Sequence, residues 1–325
     1  MVKTVPSLYG FLYDRVERAK EPGSLRKWLG TLSARNLHSL IADIRPSCVV
    51  CTHAFPCGIM AQYKRRIDPS LPVFGVVTDY VVHPFWIYGN IDAYAVATEE
   101  MRAALLARGV AASRTFLTGI PVDPRFALIP PRAQARRALG LGEDDERMVV
   151  LIMAGGLGIG PLEMMLRGLL RVRRPISAVV LVGKNDRRGA RLRRWCKQWP
   201  FSVEIRGFEE NVFDYMHAAD VLLTKPGGLS VTEALVARLP MVLVKPLGGQ
   251  EERNTRYLLE RRAALFAETE EEVGLAAQRL LERTAERRRL LEHAEPLRRP
   301  EAAADVALLV RDLVLGEVQL LSSLG

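Results

Sequence analysis

The sequence predicts an α/β protein in which parallel strands and helices form two domains. Its 325 residues exceed the usual size of one domain. Short apolar runs such as Val221–Leu223 and Met241–Val244 have the composition of buried strands. Each run is followed by a glycine-containing turn and then by a helix start, the order expected along a parallel sheet. Apolar residues make up 49% of the chain, so each domain can bury a sizeable core.

The composition excludes several classes of protein. No apolar run reaches the length of about 18 uncharged residues that a membrane-spanning helix needs, and residues 1–20 lack the apolar core of a signal peptide. Four cysteines do not make a disulfide framework in a chain of this length. Cys48, Cys51 and Cys57 lie close in sequence, but no matching ligand pair follows them, so we expect no metal site. A reducing cytoplasm is the expected setting.

The chain is basic, with a formal net charge of +9 and a pI near 9.6. Many arginines fall in predicted helices, for example between Arg187 and Lys197. Such a surface attracts acidic partners, either nucleic acid or anionic lipid headgroups. No signature of a nucleic-acid-binding module accompanies the charge, so we expect an anionic membrane surface rather than nucleic acid as a partner. Solvated helix faces explain most of these charges equally well.

The first half of the chain alternates strands with helices. Residues 4–44 have helical periodicity, interrupted by a turn at residues 21–24. A helix is predicted over Gly58–Arg66, and another begins at Thr98 with two early carboxylates. The predicted strands are Cys48–Cys51, Pro72–Val77, Ala93–Ala97 and Phe116–Thr118.

Polar residues follow the first two of these strands. His53 comes just after the first strand, and Asp79 and His83 come just after the second. In open parallel sheets ligands bind beyond the carboxyl ends of the strands, and a histidine or carboxylate there can accept a proton from a reacting hydroxyl. The alternative is structural, with Asp79 capping a turn and His83 packing against its neighbours.

The second half opens with a strand over Met148–Met153, a glycine-rich loop over residues 155–160, and a helix from Pro161. The glycines singled out in this loop are Gly155, Gly156 and Gly158. A loop in this context can approach a phosphate closely, so we assign it to a diphosphate or to an acceptor. NAD binding is disfavoured, because the next strand, Val179–Val182, does not end in an acidic residue.

A strand over Val203–Arg206 then leads to the turn Gly207-Phe208 and to a helix over Asn211–Ala219. Taken alone, the Phe208 side chain can equally fill the core.

Two glycine corners complete the pattern. The first glycine corner, residues 225–229, follows Val221–Leu223 and contains Lys225-Pro226-Gly227-Gly228, which no strand or helix interior tolerates. A helix is predicted over Val231–Ala237, with Ser230 and Thr232 as candidate caps. The second glycine corner, residues 246–249, follows Met241–Val244 and precedes another helix start.

Both corners have the composition of an anion-binding site. A helix start concentrates backbone N–H groups and partial positive charge, and glycine removes the Cβ atoms that would hold a phosphate away. Glu233 can accept hydrogen bonds from the two hydroxyls of a ribose, and Gln250, Glu251 and Asn254 can bind sugar hydroxyls. We therefore predict that both corners line one nucleotide-sugar pocket. The alternative is an ordinary pair of α/β turns with solvated polar residues.

Five segments resemble one enzyme family. They are THAFP at 52–56, VVTDYVVHPFW at 76–86, RGFEENVFDYMHAAD at 206–220, KPGGLSVTEAL at 225–235 and GGQEERN at 248–254. Together they are similar to the GT-B glycosyltransferases that include monogalactosyldiacylglycerol synthases and processive diacylglycerol glucosyltransferases. Transferases that add N-acetylglucosamine to lipid I are more distant relatives. The likeness extends from near the N-terminus to about residue 265.

The resemblance implies a GT-B architecture, with two Rossmann-like domains facing a central cleft. The expected divisions are an acceptor-side domain over 1–126, a linker over 127–147, a UDP-sugar-binding domain over 148–300 and a C-terminal helix over 301–325. Relatives normally begin with a strand, a glycine-rich loop carrying a histidine, and a helix, and no such unit precedes Pro6. The first domain is therefore expected to be N-terminally incomplete.

The resemblance also implies an activity. The expected reaction is inverting transfer of glucose or galactose from a UDP-sugar to diacylglycerol, on the inner face of the cell membrane and without an obligatory metal or cofactor. His83, Asp79 or His53 would deprotonate or orient the acceptor. The donor would be bound by Gly207, Phe208, Lys225, Gly227, Gly228, Leu229, Ser230, Glu233, Gly249, Gln250, Glu251 and Asn254. Two alternatives stay open: a non-hydrolysing UDP-N-acetylglucosamine 2-epimerase, and a UDP-sugar-binding homologue without turnover.

Overall fold

The computed structural model describes residues 37–141, 147–246 and 248–316. The chain divides into two compact units, of which the first comprises Met1–Pro121 with Glu301–Gly325 and the second comprises Val122–Pro300. Residues 37–44 are helical, as predicted. The rest of the helical region predicted over residues 4–36 lies outside the described residues.

The first unit is built on a four-stranded parallel sheet in which the strands follow chain order. The strands are β1 (Val49–Cys51), β2 (Val73–Val76), β3 (Ala93–Val96) and β4 (Thr115–Leu117). The helices are α1 (Ala54–Arg66) and α2 (Glu99–Leu106), with short 3₁₀ turns at Pro84–Trp86 and Ala112–Arg114. All residues of β2 and β3 are buried, as expected for central strands of a parallel sheet covered on both faces.

The second unit is built on a six-stranded parallel sheet with the order β10-β9-β8-β5-β6-β7. The strands are β5 (Met148–Met153), β6 (Ile176–Leu181), β7 (Ser202–Arg206), β8 (Val221–Thr224), β9 (Met241–Val244) and β10 (Leu265–Ala267). The helices are α3 (Arg132–Ala138), α4 (Leu162–Leu169), α5 (Asp186–Trp195), α6 (Val212–Ala218), α7 (Gly228–Val236), α8 (Gln250–Glu260), α9 (Glu270–Glu282) and α10 (Thr284–Ala294). Each predicted strand is present, and its bounds differ from the prediction by at most a few residues.

Helices α4 and α9 approach each other through two glycines. A Cβ atom on Gly168 would lie 2.6 Å from the Val273 side chain, and one on Gly274 would lie 2.7 Å from the Gly168 carbonyl oxygen. No larger residue fits at this contact without displacing backbone. The contact fixes α4, the helix that begins directly after the glycine-rich loop.

The segment predicted as a linker, 127–147, contributes α3 to the second unit. Arg132 and Arg136 of this helix each bind the buried carboxylate of Asp220 at 2.6 Å. Asp220 also accepts a hydrogen bond from the Val149 backbone at 2.7 Å. The three contacts join α3 to the first strand of the second sheet.

The terminal helix α11 (Ala302–Leu315) belongs to the first unit. Its Val306 packs against Val76 of β2 and Ala95 of β3. Gly316 ends the helix in the left-handed conformation with φ 71°, and the predicted continuation over 317–321 lies outside the described residues. No helix within the described ranges combines the length and the hydropathy that crossing a bilayer requires.

Candidate functional site

The second sheet has a topological switch point between β5 and β8. From β5 the chain proceeds to β6 and β7 on one side, and from β8 it proceeds to β9 and β10 on the other. Since the strands are parallel, the loops after β5 and β8 both leave from the carboxyl edge of the sheet and then diverge. Ligands of open α/β sheets bind in the gap that this divergence creates.

The glycine-rich loop after β5 is shaped by close backbone contacts. Gly155 and Gly158 have φ values of 73° and 63°, which favour glycine. A Cβ atom on Gly158 would lie 2.1 Å from the Val182 carbonyl oxygen. The Lys184 N–H donates to the Gly156 oxygen at 2.9 Å, so this loop and the turn after β6 hold each other in place.

Arg188 of α5 clamps the same loop. Its guanidinium donates to the carbonyl oxygens of Gly158 and Gly160, both at 2.7 Å, and pairs with Glu163 of α4. Burial of Glu163 disfavours its charge, but hydrogen bonds from Arg188 and Arg191 outweigh that effect and lower the pKa of Glu163 to about 2. The lowered pKa keeps the Glu163 carboxylate ionised even in acid, well below pH 4.5. Sequence reasoning did not single out Arg188 as a site residue.

The first glycine corner runs directly into α7. This helix begins at Gly228, three residues before the predicted start, and no side chain among the described residues caps it. The expectation that Ser230 and Thr232 cap the helix was wrong. Ser230 lies in the first turn, and the Thr232 hydroxyl donates to the Gly228 oxygen at 2.7 Å inside the helix. The first N–H groups of α7 are therefore left for another acceptor.

The second glycine corner also leads directly into the start of a helix. Gly248 and Gly249 have φ values of 96° and 61°, and α8 begins at Gln250 without a capping side chain from the described residues. Because β8 and β9 are adjacent and parallel, both uncapped helix starts lie at the same edge of the sheet.

Direct contacts join the two corners. The Asn254 amide donates to the Pro226 oxygen at 3.1 Å, and Lys225 Nζ pairs with Glu251 Oε1 at 2.5 Å. Lys225 also passes the glycine-rich loop, because a Cβ atom on Gly155 would lie 3.2 Å from its Cε atom. Asn254, which is fully buried, and Glu251 thus hold the corners together, a role the sequence did not predict. Three loops converge around Lys225.

Glu233 lies on α7 and is partly buried. Within the described chain its carboxylate forms no hydrogen bond or ion pair. Burial raises the pKa of Glu233 to about 7 from its ordinary value of 4.5. A desolvated carboxylate without a partner is typical of functional sites, since bound hydroxyl groups would compensate for the lost water.

Phe208 projects beside the glycine-rich loop. Its side chain is 51% exposed, and a Cβ atom on Gly156 would lie 3.9 Å from the ring. Lys184 Nζ lies 4.8 Å from the ring centroid, within the range of a cation–π contact. Phe208 is not a core residue, so of the two interpretations the structure supports an exposed contact surface.

The candidate bases of the first unit lie beyond β1 and β2. The Thr78 hydroxyl donates to the Thr52 oxygen at 3.2 Å, which places the two loops side by side. His53 is exposed, and its Nδ1 accepts from the Phe55 N–H at 3.2 Å. His83 is fully buried, and its Nδ1 accepts from the Phe85 N–H at 3.2 Å. This geometry for His83 is that of the structural alternative. Asp79 is partly buried and has interaction partners.

Comparison with known proteins gives a consistent result. Residues 1–122 match the family model described as monogalactosyldiacylglycerol (MGDG) synthase. The processive diacylglycerol beta-glucosyltransferase of Bacillus mycoides is 29% identical over 311 residues, which cover 95% of this chain and 78% of that protein. The protein of the same name from Bacillus pumilus is 30% identical over 248 residues, or 76% and 64% of the two chains. The predicted resemblance is confirmed. The chain is similar to these diacylglycerol glucosyltransferases over most of its length.

Solved structures show the same fold. MurG of Acinetobacter baumannii superposes with a TM-score of 0.60 at 16% identity, covering 86% of this chain and 77% of that chain. The UDP-GlcNAc 2-epimerase of Neisseria meningitidis, bound to UDP-GlcNAc, superposes with a TM-score of 0.64 at 15% identity, covering 91% and 84%. The fold is α/β with two parallel-sheet, Rossmann-like units of the GT-B type.

Proposed function

We propose that the protein is a glycosyltransferase that moves a hexose, glucose or galactose, from a UDP-sugar to diacylglycerol. The observation that carries this proposal is the convergence of three features after strands β8 and β9: two helix starts, Lys225, and Glu233. Within the described ranges no side chain caps either helix start and no group pairs with the Glu233 carboxylate. The similarity to diacylglycerol glucosyltransferases over 95% of the chain supports the acceptor.

The donor site follows from the chemistry of these groups. The diphosphate would lie against the N–H groups at the starts of α7 and α8, where the helix dipoles favour negative charge. Glu233 would accept hydrogen bonds from the ribose hydroxyls, and the exposed ring of Phe208 would contact the base. Gln250 and Glu251 would bind the sugar hydroxyls, with Glu251 kept in place by Lys225.

The proposed reaction inverts the anomeric centre. The acceptor hydroxyl would attack the anomeric carbon on the face opposite the diphosphate, forming the new C–O bond as the bond to UDP breaks. The electron pair would pass to the diphosphate oxygen, whose charge the helix starts and Lys225 would stabilise. The proton would pass to a base for which His53, Asp79 and His83 remain the candidates, with His83 the least accessible of the three.

The acceptor also implies a location. Diacylglycerol is dissolved in a membrane, so the enzyme would work at a membrane surface. We propose peripheral association with the inner face of the cell membrane.

The test is an incubation with diacylglycerol vesicles and either UDP-glucose or UDP-galactose, followed by lipid chromatography. A new glycolipid is expected with at least one donor, and it is expected to require diacylglycerol. Glu233→Ala is expected to reduce its formation at least tenfold at a donor concentration well below saturation. Glu260→Ala, at the exposed C-terminal end of α8, serves as the control.

Two outcomes would contradict the proposal. Interconversion of UDP-N-acetylglucosamine and its 2-epimer without lipid would identify an epimerase, and UDP binding without any glycolipid would identify a homologue without turnover.

A further inference from the structure

The two histidines among the candidate bases are held in the same way. His53 precedes α1, and His83 precedes the 3₁₀ turn at Pro84–Trp86. The Phe55 N–H donates to His53 Nδ1, and the Phe85 N–H donates to His83 Nδ1, both at 3.2 Å. Each histidine therefore caps the backbone that follows it.

This contact fixes the tautomer of the neutral imidazole. A backbone N–H group can only donate, so the Nδ1 atom that faces it must carry a lone pair. The single ring proton of neutral His53 or His83 is therefore on Nε2. A nitrogen that already carries a proton cannot accept another from an acceptor hydroxyl, but it can donate a hydrogen bond. Each histidine thus offers a donor at Nε2 and uses its lone pair on the backbone.

Transfer of the proton to Nδ1 is also opposed. A proton on Nδ1 of His53 would face the Phe55 N–H and break the cap at the start of α1. His83 meets a further obstacle, because its side chain is fully buried and a charged imidazolium there would lose its hydration. The backbone contacts of both histidines therefore argue against a role as the base.

Asp79 has the chemistry that the two histidines lack. An ionised carboxylate carries no proton and has about four lone-pair sites, so hydrogen bonds from the protein leave it able to accept a proton. Asp79 is partly buried and directly follows Thr78, whose hydroxyl donates to the Thr52 oxygen at 3.2 Å. Because Thr52 directly precedes His53, the contact brings the segments that carry Asp79 and His53 together at the carboxyl edge of the first sheet.

We propose that Asp79 is the base of the transfer and that His53 orients the acceptor by donating from Nε2 to its oxygen. This inference rests on the proposed function. The acceptor O–H bond breaks as the new C–O bond forms, and the proton passes to a carboxylate oxygen of Asp79. Asp79 returns the proton to water after the glycolipid leaves. His83 keeps the structural role of capping its turn.

The test is the rate of glycolipid formation from diacylglycerol vesicles and a UDP-hexose. Asp79→Asn keeps the shape of the side chain but removes the base, so kcat is expected to fall at least about 100-fold, with UDP affinity unchanged. Asp68 provides the matched control, because it lies before the start of β2 and accepts from the Ser70 N–H at 3.0 Å. Asp68→Asn is expected to keep the natural rate.

Chemical rescue separates loss of a base from loss of a structural contact. Formate is expected to raise the kcat of Asp79→Ala at least about tenfold, because a small carboxylate can occupy the vacated space and accept the proton. The same formate is expected to leave Asp79→Asn unchanged, since the amide fills that space. His53→Asn is expected to lower kcat by less than about tenfold, because asparagine keeps a capping oxygen and an N–H donor.

Thermal unfolding and UDP titration of every variant show whether it is folded and whether its donor site is intact. An active natural chain whose Asp79→Asn variant keeps its rate would overturn the inference and leave the proposed function in place. The inference would also be overturned if formate failed to activate Asp79→Ala, or if His53→Asn lost as much activity as Asp79→Asn. No glycolipid from the natural chain would contradict the proposed function itself, and this inference with it.

Discussion

Glu233 carries a partly buried carboxylate without a partner in the described chain, and this has a consequence for stability. Burial raises its pKa to about 7 in the folded state from an ordinary value of 4.5. Folding therefore favours the protonated form. The associated stability is fully present below pH 4.5 and is lost as the pH rises through about 7.

Glu233→Gln is expected to remove this pH dependence, because glutamine stays neutral. The variant and the natural chain should have similar free energies of unfolding near pH 4.5. Above pH 7 the variant should be more stable by up to roughly 3 kcal/mol, the equivalent of the pKa change. Urea unfolding at a series of pH values measures the difference, and a difference that does not change with pH would contradict the account.

Arg188 is the positioning residue of the glycine-rich loop, because it binds two of the loop's carbonyl oxygens at 2.7 Å. Arg188→Ala is expected to weaken UDP binding about tenfold, corresponding to about 1.4 kcal/mol. Arg188→Lys should recover only part of that loss, since an ammonium group lacks the planar fork that reaches both oxygens. Calorimetric titration measures the affinities, with the exposed Arg187→Ala as the matched control. Equal affinities for Arg188→Ala and Arg187→Ala would reject the assignment.

Some residues of the candidate donor site could be predicted from the sequence, and others could not. The glycines and Glu233 could be selected because their chemistry and spacing are local. The role of Arg188 and the pairing of Lys225 with Glu251 could not be predicted in this way. Each of these contacts joins residues separated by 26 or more positions in the sequence. Such contacts depend on the order of strands in the sheet, which local pattern does not encode.

At the scale of elements, the glycine-rich loop has little tolerance for substitution. Gly158 combines a φ of 63° with a backbone oxygen that would lie 2.1 Å from an added Cβ atom. Gly158→Ala is expected to destabilise the fold by about 2–4 kcal/mol. This figure combines the free-energy cost of a left-handed backbone at a residue with a side chain and the cost of a steric clash. The change is expected to be seen as a lower urea midpoint.

Gly140 provides the matched control for that substitution. Its φ is 70°, and an added Cβ atom would meet no atom of the described residues within 4 Å. Gly140→Ala is therefore expected to cost only about 1 kcal/mol, the backbone term alone. Equal losses at Gly140 and Gly158 would show that the contact with Val182 is not restrictive.

Helix starts were harder to predict than strands. The buried runs of β5 and β9 were predicted with their observed bounds, because uninterrupted apolar sequence leaves few alternatives. The start of α7 was placed three residues late, because Ser230 and Thr232 match the usual preference for capping side chains. The observed uncapped start at Gly228 violates that preference at the candidate site, where a bound anion would satisfy the N–H groups.

At the scale of the whole molecule, the repeated order of strand, glycine turn and helix predicted two parallel-sheet units. It was harder to predict to which unit the predicted linker and the C-terminal helix belong. Helix α3 is joined to the second sheet through Asp220, and α11 packs on the first sheet through Val306. Both placements depend on contacts between residues far apart in the sequence. The apolar and charged patterns of these segments also fit a linker and a separate helix.

The central claim is that the glycine corners of the second unit bind the UDP portion of a sugar donor. Calorimetric titration with UDP of the natural chain, Glu233→Ala and Glu260→Ala tests it most directly. We expect one UDP per chain, an affinity at least tenfold weaker for Glu233→Ala, and no change for Glu260→Ala, with equal thermal midpoints showing that all three are folded. Absence of UDP binding by the natural chain, or an unchanged affinity in Glu233→Ala, would contradict the claim.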